Sequence, residues 1–438
     1  MKLKYLAALL LILFLPVQLH GLTLEEEKKY GWQIYQEIAK SVPINNDPYI
    51  SIYFRDIKDR LEGAANLPFP IVLTVIESNS LDAFATIGGY VYVTTGLIGM
   101  CDKEEELAGV LGHEFAHIAR RHVAKRMEKE KFLSVGMLAS MVLAMLIPNP
   151  TAQAATLAMG GASSMAMSLK YSREDEEEAD SVGASIADRA GYGALGTAEF
   201  LKKLRAGGGD KALPQYLLTH PYHEERIIRI ESMWGGSKSQ IDGSFFPYLL
   251  ERIKVLHAPY RQGMEDIWIS RYLKDKDNPL TAYALALVYS MKGNVNESVN
   301  IASNISSPYR NMFLGEMLVS ARRFSNAIDV LKEETLPIPR FFLAKAYEAN
   351  GDRSMAINVL SQLLRYGIVY PEIFYRYGML LGRGGREAEG YAYLGQYYIE
   401  IGRQDLARSN FEKAITKYGI NSKEGQEILK LLESTKKK

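Results

Sequence analysis

Hydrophobic residues recur at helical spacing over most of this chain. Leu107, Val110, Leu111 and Ile118 form one such stripe, which follows the acidic residues 104–106, and the later turns carry Arg120, Arg121, Lys125 and Arg126. This is the pattern of an amphipathic helix with charges matched to its dipole, and Asp102 is its predicted N-cap. Two shorter runs, 71–76 and 90–94, are rich in β-branched and aromatic residues and predict paired strands. The pattern therefore predicts a mainly helical α+β domain with a small β-sheet.

From about residue 270 the apolar positions become periodic. Small residues recur where paired helices would touch, and glycine recurs where the first helix of a pair would end. The matching sets are Leu285-Ala286, Tyr289, Gly293 and Ser298; Leu314-Gly315, Leu318, Arg322 and Ala327; Leu343-Ala344, Tyr347, Gly351 and Ala356; Tyr377-Gly378, Leu381, Gly385 and Gly390; and Leu394-Gly395, Tyr398, Gly402 and Ala407. Residues 270–438 are predicted to form an all-α tetratricopeptide-like solenoid, which either binds protein on its concave face or caps the preceding domain.

The chain begins with the pattern of a secretion signal. Lys2 and Lys4 precede an apolar stretch from Tyr5 to Leu15, and the small residue Gly21 follows. The apolar stretch is too short to span a bilayer comfortably, which favours cleavage over a retained anchor. We expect residues 1–21 to be a signal peptide, cleaved near Gly21, and the protein to be periplasmic.

Residues 132–169 contain no charged side chain. An apolar arm is broken at Pro148-Asn149-Pro150, and a second arm is rich in Ala, Gly, Ser and Met. Each arm is short or weakly apolar for a transmembrane helix. The segment is predicted to be a helical pair that covers the active site or contacts a membrane surface, and a membrane hairpin is the alternative.

Composition limits the partners and the number of domains. The 52 Lys and Arg residues nearly balance the 51 Asp and Glu residues, so no overall positive charge recruits nucleic acid. Cys101 is the only cysteine, which excludes an internal disulfide. A length of 438 residues leaves room for two or three domains.

The predicted helix that follows Asp102 carries the strongest chemical signal. His113, Glu114 and His117 form an H-E-x-x-H motif, in which the two histidines lie one turn apart and can reach a single metal ion. Glu114 is placed to deprotonate a metal-bound water. The alternative is a pair of solvated histidines on an ordinary helix. His122 lies off this series, after two arginines, and is predicted to be exposed to solvent.

A catalytic zinc site needs a third protein ligand, and an acidic run downstream offers one. Residues 174–180 place six carboxylates in seven positions, which would repel each other on a helix unless a cation or metal offsets them. Apolar residues at Val182, Ala184 and Ile186 indicate that the helix is largely buried. Burial favours a metal ligand in this run over a solvated acidic face.

Together these motifs resemble those of the gluzincin metallopeptidases, which include HtpX, the CAAX prenyl protease and the periplasmic BepA-type proteases. The resemblance rests on residues 113–117, on Ser172-Arg173 with Glu176 and Asp180, on residues 82–97, and on residues 219–227. It covers about residues 25–235, and Asp82 replaces the usual asparagine. A secretion signal and a helical-repeat tail are features of the BepA-type proteases.

The resemblance implies a zincin-like fold that binds one zinc ion per chain. It implies that His113, His117 and Glu176 are the zinc ligands, that Asp180 orients a ligand histidine, and that Glu114 is the catalytic base. The neighbouring acidic residues are then bystanders: Glu174, Asp175, Glu177 and Glu178.

Two further residues have open roles. Arg226 is a candidate to stabilise the oxyanion. His220, which precedes Pro221 in a predicted loop, either occupies the fourth zinc position and keeps the enzyme latent or is a surface residue.

The implied function is that of a zinc-dependent endopeptidase of the cell envelope, acting in protein quality control or outer-membrane protein assembly. The repeats would bind unfolded or misassembled envelope proteins or the outer-membrane assembly machinery. The alternative is a chaperone or assembly scaffold with a mostly latent zinc site. The predicted domains are the signal peptide (1–21), the metalloprotease domain (22–235), a linker helix region (236–269) and the repeats (270–438).

Overall fold

The computed structural model describes residues 21–129, 135–145, 171–207, 216–221, 224–257, 264–368 and 370–436. The predicted signal peptide and most of the uncharged segment lie outside these residues. The chain divides into two compact units. The first comprises the residues up to Asn46 and Tyr53–Phe246, and the second comprises Asp47–Ile52 and the chain from Pro247 onward. The domain bounds at residues 235 and 269 stay a prediction.

The first unit contains a small sheet and the helices around it. Its elements are α1 (Leu24–Ser41), α2 (Pro48–Ala64, whose first residues belong to the second unit), β1 (Val72–Ile76), β2 (Ala83–Thr86), β3 (Tyr90–Thr94), α3 (Thr95–Met100), α4 (Glu104–Ala119), α5 (His122–Lys129), α6 (Val135–Met145), α7 (Arg173–Arg189), α8 (Gly196–Gly207), α9 (Tyr216–Thr219) and α10 (Glu224–Trp234). The prediction of a mainly helical domain with a small sheet is confirmed.

The sheet has three strands in the order β1-β3-β2. The two predicted strands pair with each other, because β1 lies parallel to β3 with Val72 opposite Tyr90. β2 pairs antiparallel with β3. The turn between them contains Gly88 and Gly89 at φ values of 82° and 92°, which residues with a Cβ rarely adopt. Every residue of β2 and β3 is buried, so both faces of this part of the sheet are covered.

The predicted helix with the H-E-x-x-H motif is α4, which ends at Ala119 although the charge pattern predicted that it continues to Arg126. α4 packs closely on α7. A Cβ atom on Gly183 of α7 would lie 2.7 Å from the Cα atom of His113, so only glycine permits this approach. The prediction of Asp102 as the N-cap is wrong, because Lys103 holds that position. The Asp102 carboxylate instead lies 2.5 Å from the ammonium group of Lys203.

Part of the uncharged segment is described as α6. Ala139 and Val142 of α6 are buried in one hydrophobic cluster with Trp32 and Ile38 of α1. The second arm of the predicted helical pair lies outside the described residues. None of the helices that the structure describes combines the length and the hydrophobicity that crossing a membrane requires.

The second unit consists of helices that pair in sequence order. They are α11 (Phe246–His257, whose first residue belongs to the first unit), α12 (Met264–Lys274), α13 (Pro279–Met291), α14 (Val295–Ser303), α15 (Arg310–Ser320), α16 (Phe324–Leu331), α17 (Pro337–Ala349), α18 (Arg353–Arg365), α19 (Pro371–Arg383), α20 (Glu387–Glu400), α21 (Gln404–Tyr418) and α22 (Lys423–Lys436). This succession confirms the predicted helical-repeat solenoid.

The repeat positions lie at helix ends and at close helix contacts, as their spacing predicted. The residues that end the first helices have positive φ: Gly293 (80°), Arg322 (59°), Gly351 (90°), Gly385 (87°) and Gly402 (73°). The small residues lie at helix contacts. A Cβ atom on Gly378 would lie 2.8 Å from the carbonyl oxygen of Gly390, which is too close for any side chain.

A buried arginine links several elements of the second unit. The Nη2 atom of Arg252 in α11 lies 2.7 Å from Asp47 Oδ2 and 2.8 Å from Glu316 Oε1. Its guanidinium group also lies over the ring of Tyr49, at 4.0 Å from the ring centre. The Arg252 side chain is only 5% exposed, so the carboxylates balance a charge that water does not reach.

Candidate metal centre

Two helices supply the centre of the site. His113, Glu114 and His117 of α4 have no exposed surface, and Glu176 of α7 is 1% exposed. Ser172 caps α7 through a reciprocal capping box with Asp175, which starts the helix one turn before Glu176. The alternative of two solvated histidines on α4 is therefore wrong.

Four side chains converge on one point in the first unit. One ligand atom from each of His113, His117, Glu176 and His220 lies within 4.8 Å of the others. His117 Nε2 is 3.0 Å from His113 Nε2. His220 Nδ1 is 3.2 Å from His113 Nε2 and 2.9 Å from Glu176 Oε1. Ligand atoms around a tetrahedral zinc ion, each about 2.0–2.1 Å from the metal, would be about 3.3 Å apart.

The proton positions on the imidazoles test whether a metal fits. His113 Nδ1 lies 3.0 Å from Asp180 Oδ1, and an ionised carboxylate can only accept a hydrogen bond. The hydrogen-bond network therefore assigns the His113 proton to Nδ1, which leaves the Nε2 lone pair directed at the cluster. Lone pairs and a carboxylate at about 3 Å repel one another unless a cation lies between them. Imidazole and carboxylate are donors that suit zinc.

The electrostatics favour the protonation states that bind a metal. Burial lowers the pKa of His117 well below its usual value and that of His220 to about 4. Burial opposes ionisation of Glu176, but His220 and Arg226 together hold the pKa of that carboxyl well below its usual range. His117 and His220 are therefore neutral near pH 7, and Glu176 is ionised.

Glu114 lies beside the cluster and has different surroundings. Its side chain is fully buried, and the backbone N–H of Ala85 faces its carboxylate. Burial, together with the nearby Glu176 and Asp82, raises the pKa of Glu114 well above its usual value. A cation bound next to Glu114 would therefore lower the pKa of its carboxyl.

Asp180 and Arg226 form a buried pair behind the cluster. Arg226 donates to Asp180 from Nε and from Nη2, both at 2.7 Å. Its Nη1 atom is 2.6 Å from Glu176 Oε2 and donates to the Pro221 carbonyl oxygen at 3.2 Å. All three nitrogens are engaged, so the contacts favour a positioning role for Arg226. Its predicted oxyanion role stays a prediction.

His220 follows the short helix α9 and is fully buried, which excludes a surface residue. Its Nε2 atom lies 3.4 Å from Glu114 Oε1, on the side of the ring opposite the cluster. The ring of Tyr216 stacks on it at 4.6 Å between ring centres. The backbone N–H of Tyr216 donates to the carbonyl oxygen of Leu81 at 2.9 Å, next to β2.

The prediction that His122 is exposed to solvent is wrong. His122 is only 2% exposed, and its Nδ1 atom lies 2.9 Å from Nδ1 of His117. The prediction of solvent exposure assumed that one helix continues past His117. α4 instead ends at Ala119, and Arg121 adopts a φ of 55°, after which α5 runs in a new direction. Since arginine rarely has a positive φ, no residue type at this position signals the break.

Glu178 also differs from its prediction as a bystander. Its Oε2 atom lies 3.1 Å from Nε2 of His122. Asp175, also predicted to be a bystander, takes part in the cap of α7. In the acidic run, Asp175 therefore caps α7 and Glu176 belongs to the cluster. Asp180 contacts His113, and Glu178 contacts His122.

Comparison with known proteins decides the family of the first unit. Residues 53–234 match the model of Peptidase family M48. This part of the chain is a family M48 peptidase domain. The resemblance to BepA-type proteases is also confirmed, because a "Beta-barrel assembly-enhancing protease" of Yersinia pestis is 26% identical over 80% of this chain and 75% of its own length.

Other relatives carry related names. A Vibrio cholerae serotype O1 protein, provisionally named a beta-barrel assembly-enhancing protease, is 33% identical over 61% of this chain, and the chain spans 57% of that protein's length. A mitochondrial metalloendopeptidase of Arabidopsis thaliana is 31% identical over 35% of this chain and 29% of its own length.

Solved structures show only weak likeness. A tetratricopeptide repeat protein from Parabacteroides merdae matches 55% of this chain and 92% of its own, with 14% identity and a TM-score of 0.27. Yeast Tom70 matches 76% of this chain and 82% of its own, with 13% identity and a TM-score of 0.31. The solenoid assignment rests on the helix pairing described above.

Proposed function

We propose that this protein is a zinc-dependent endopeptidase of the cell envelope that acts in protein quality control or outer-membrane protein assembly. One observation carries the catalytic part of the proposal. Inside a family M48 domain, the imidazoles of His113, His117 and His220 and the carboxylate of Glu176 direct their acceptor atoms at one buried point. Such a set is stable only around a cation, and we assign one zinc ion per chain to it.

A zinc ion held by His113, His117 and Glu176 would polarise the scissile carbonyl and activate a water molecule. Glu114 takes the proton of the attacking water and passes it to the leaving amine. Positive charge at the cluster would lower the pKa of Glu114, which is raised by burial, and so favour the ionised form that can accept this proton. Asp180 holds His113 through its Nδ1 atom, and Arg226 holds Asp180 and Glu176.

An extended substrate would bind along β2. β2 is an edge strand of the sheet, since only β3 pairs with it among the described residues. A peptide added to such an edge is held mainly through its backbone, which suits loose sequence preference. The carbonyl oxygen of Leu81, just before β2, already accepts the N–H of Tyr216. The α9 segment therefore occupies backbone contacts that a substrate would need.

We infer that His220 keeps the site latent. Its Nδ1 atom fills the fourth ligand position, and its Nε2 atom covers Glu114. Catalysis needs that position open for water, so the α9 segment would leave the site before substrate enters.

We assign the solenoid to protein binding. Unfolded or misassembled envelope proteins are the proposed substrates, and the outer-membrane assembly machinery is a proposed partner. The names of the Yersinia and Vibrio relatives support a role in β-barrel assembly, and the predicted signal peptide supports a periplasmic location. A chaperone or assembly scaffold is the second candidate, favoured by one observation: His220 closes the metal position that hydrolysis requires.

The test compares the purified protein with its Glu114→Gln variant. Both should bind about one zinc ion per chain, because Glu114 is outside the ligand set. The variant should lose cleavage of an unfolded protein by about 10²-fold or more, the usual contribution of a general base. Cleavage at the original rate in the variant would refute the mechanism. Equal and negligible cleavage in both proteins, with zinc bound, would support the scaffold.

A further inference from the structure

The two histidines of α4 have different partners on the side away from the cluster. His113 contacts the carboxylate of Asp180. His117 contacts a second histidine, His122, through Nδ1 atoms 2.9 Å apart. His122 in turn contacts Glu178, and Arg120 Nε lies 2.9 Å from the other oxygen of that carboxylate. The second chain of contacts has no role in the proposed mechanism.

We propose that His122 and Glu178 form a hydrogen-bonded relay that positions the metal ligand His117. This inference rests on the proposed zinc site. His122 acts through His117 and touches neither substrate nor metal, so it is a positioning residue.

The direction of the relay follows from its far end. Glu178 Oε2 lies 3.1 Å from His122 Nε2, and an ionised carboxylate only accepts. His122 therefore carries its proton on Nε2, which leaves Nδ1 as an acceptor. His117 must then donate from its own Nδ1, and its Nε2 lone pair is directed at the cluster. The opposite tautomer of His122 would turn the Nε2 lone pair towards the Glu178 carboxylate 3.1 Å away, and two acceptors would then face each other.

Packing fixes the orientation of the His117 ring. Tyr171 stacks on it, with ring centres 3.8 Å apart and planes inclined by 25°. The guanidinium carbon of Arg126 lies 4.3 Å from the centre of the Tyr171 ring on its other side. The hydrogen bond that His117 donates to His122 then fixes which nitrogen of His117 is protonated.

The relay reaches from a buried site to the surface. The His122 side chain has no exposed surface, whereas the Glu178 side chain is 44% exposed. Asp175 also lies near His122 Nε2, with its Oδ1 atom at 3.6 Å. Because water screens Glu178, and Asp175 can in part replace it, loss of Glu178 should matter less than loss of the His122 acceptor.

A pair of substitutions at one position tests the relay. Asparagine at residue 122 can place its amide oxygen near the original Nδ1 and accept from His117, whereas glutamine places its amide near the original Nε2. We expect His122→Asn to keep zinc affinity within about threefold and His122→Gln to lower it 10–100-fold, the usual effect of removing a partner of a metal-bound histidine. The readout is the zinc dissociation constant, from competition with a chromophoric chelator.

Two matched carboxylate variants complete the experiment. Glu178→Ala should weaken zinc binding about two- to fivefold, as expected for a partly exposed contact. Glu174→Gln, on the exposed side of the same helix, should leave the zinc affinity unchanged. The thermal midpoints of the zinc-free proteins should agree within about 2 °C.

The outcomes separate the relay from the proposed function. Equal zinc affinities for the wild type, His122→Asn and His122→Gln would overturn the relay. So would an equal loss in both variants, because a lost shape rather than a lost acceptor would then explain the effect. If the wild-type protein itself binds no zinc, the proposed zinc site is refuted, and the relay that rests on it is refuted with it.

Discussion

His220 and Glu114 face each other at the centre of the site, with His220 Nε2 3.4 Å from Glu114 Oε1. The same imidazole presents Nδ1 to Glu176 at 2.9 Å. One side chain thus reaches both the proposed zinc ligands and the carboxylate proposed to activate water. We interpret this geometry as a closed site.

The latch predicts a gain of activity when it is removed. His220→Ala should raise cleavage of a short peptide, and self-cleavage, by about tenfold if the open form is populated to about a tenth in the wild type. Initial rates on a fluorogenic peptide measure this. His223→Ala, a change at the next histidine in the sequence, should have no such effect. If the His220→Ala protein binds zinc and cleaves the peptide no faster than the wild type, His220 is not a latch.

The buried carboxyl of Asp82 predicts a pH-dependent effect on stability. Burial raises the pKa of Asp82 well above its usual value, and the backbone N–H of Ala83 offsets this only in part. A carboxyl with a raised pKa in the folded state binds more protons there, so it costs stability as pH rises above the unfolded pKa of about 3.9.

Asp82→Asn should therefore unfold at a higher temperature at pH 7, by at least about 2 °C, which corresponds to about 0.5–1 kcal/mol. The difference should shrink towards pH 3, where aspartate is protonated in both states. Thermal melts of the two proteins over this range measure it. A wild type that is the more stable protein at pH 7 would contradict the assignment.

The Arg252 cluster predicts a large loss of stability in the second unit. Arg252→Leu leaves the buried carboxylates of Asp47 and Glu316 without their cation, and should lower the free energy of unfolding by about 3–5 kcal/mol. Denaturant melts measure this change. Lys332→Ala, which removes an ion pair with 52% and 73% exposed side chains, is the control and should cost under about 1 kcal/mol. Similar losses in both variants would show that burial does not set the cost.

Metal removal predicts linked losses of activity and stability. A chelator should abolish cleavage, and added zinc should restore it. Zinc at about 1,000 times its dissociation constant should stabilise the first unit by about 4 kcal/mol relative to the metal-free protein. Calorimetry with and without the chelator measures this. An unfolding transition that is the same in both conditions would argue against a metal shared by α4, α7 and the α9 segment.

Local patterns in the sequence predicted much of the fold. The H-E-x-x-H spacing placed both histidines on one face of a helix because that spacing is nearly one helical turn. In the solenoid, the repeat position of Arg322 was identified from its neighbours, and it adopts the positive φ of the glycines that it replaces. Each of these inferences concerns residues within one or two turns of each other.

The parts that escaped prediction depend on contacts between distant segments. His122 reaches His117 because the chain turns at Arg121, and the pattern of the helix does not reveal that turn. The guanidinium of Arg226 is directed to Asp180 and Glu176 by the packing of α10 on α7. His220 was predicted as a candidate ligand from a family resemblance alone, because a histidine before proline has no spacing that indicates a ligand.

The most direct test of the central claim is zinc-edge X-ray absorption on the purified, resting protein. The account predicts one zinc ion with four nitrogen or oxygen ligands at about 2.0–2.1 Å, three of them imidazoles. His220→Ala should reduce the imidazole count to two and replace the third with an oxygen from water. A resting site with only two imidazoles, or a protein that binds no zinc, would contradict the closed metal centre proposed here.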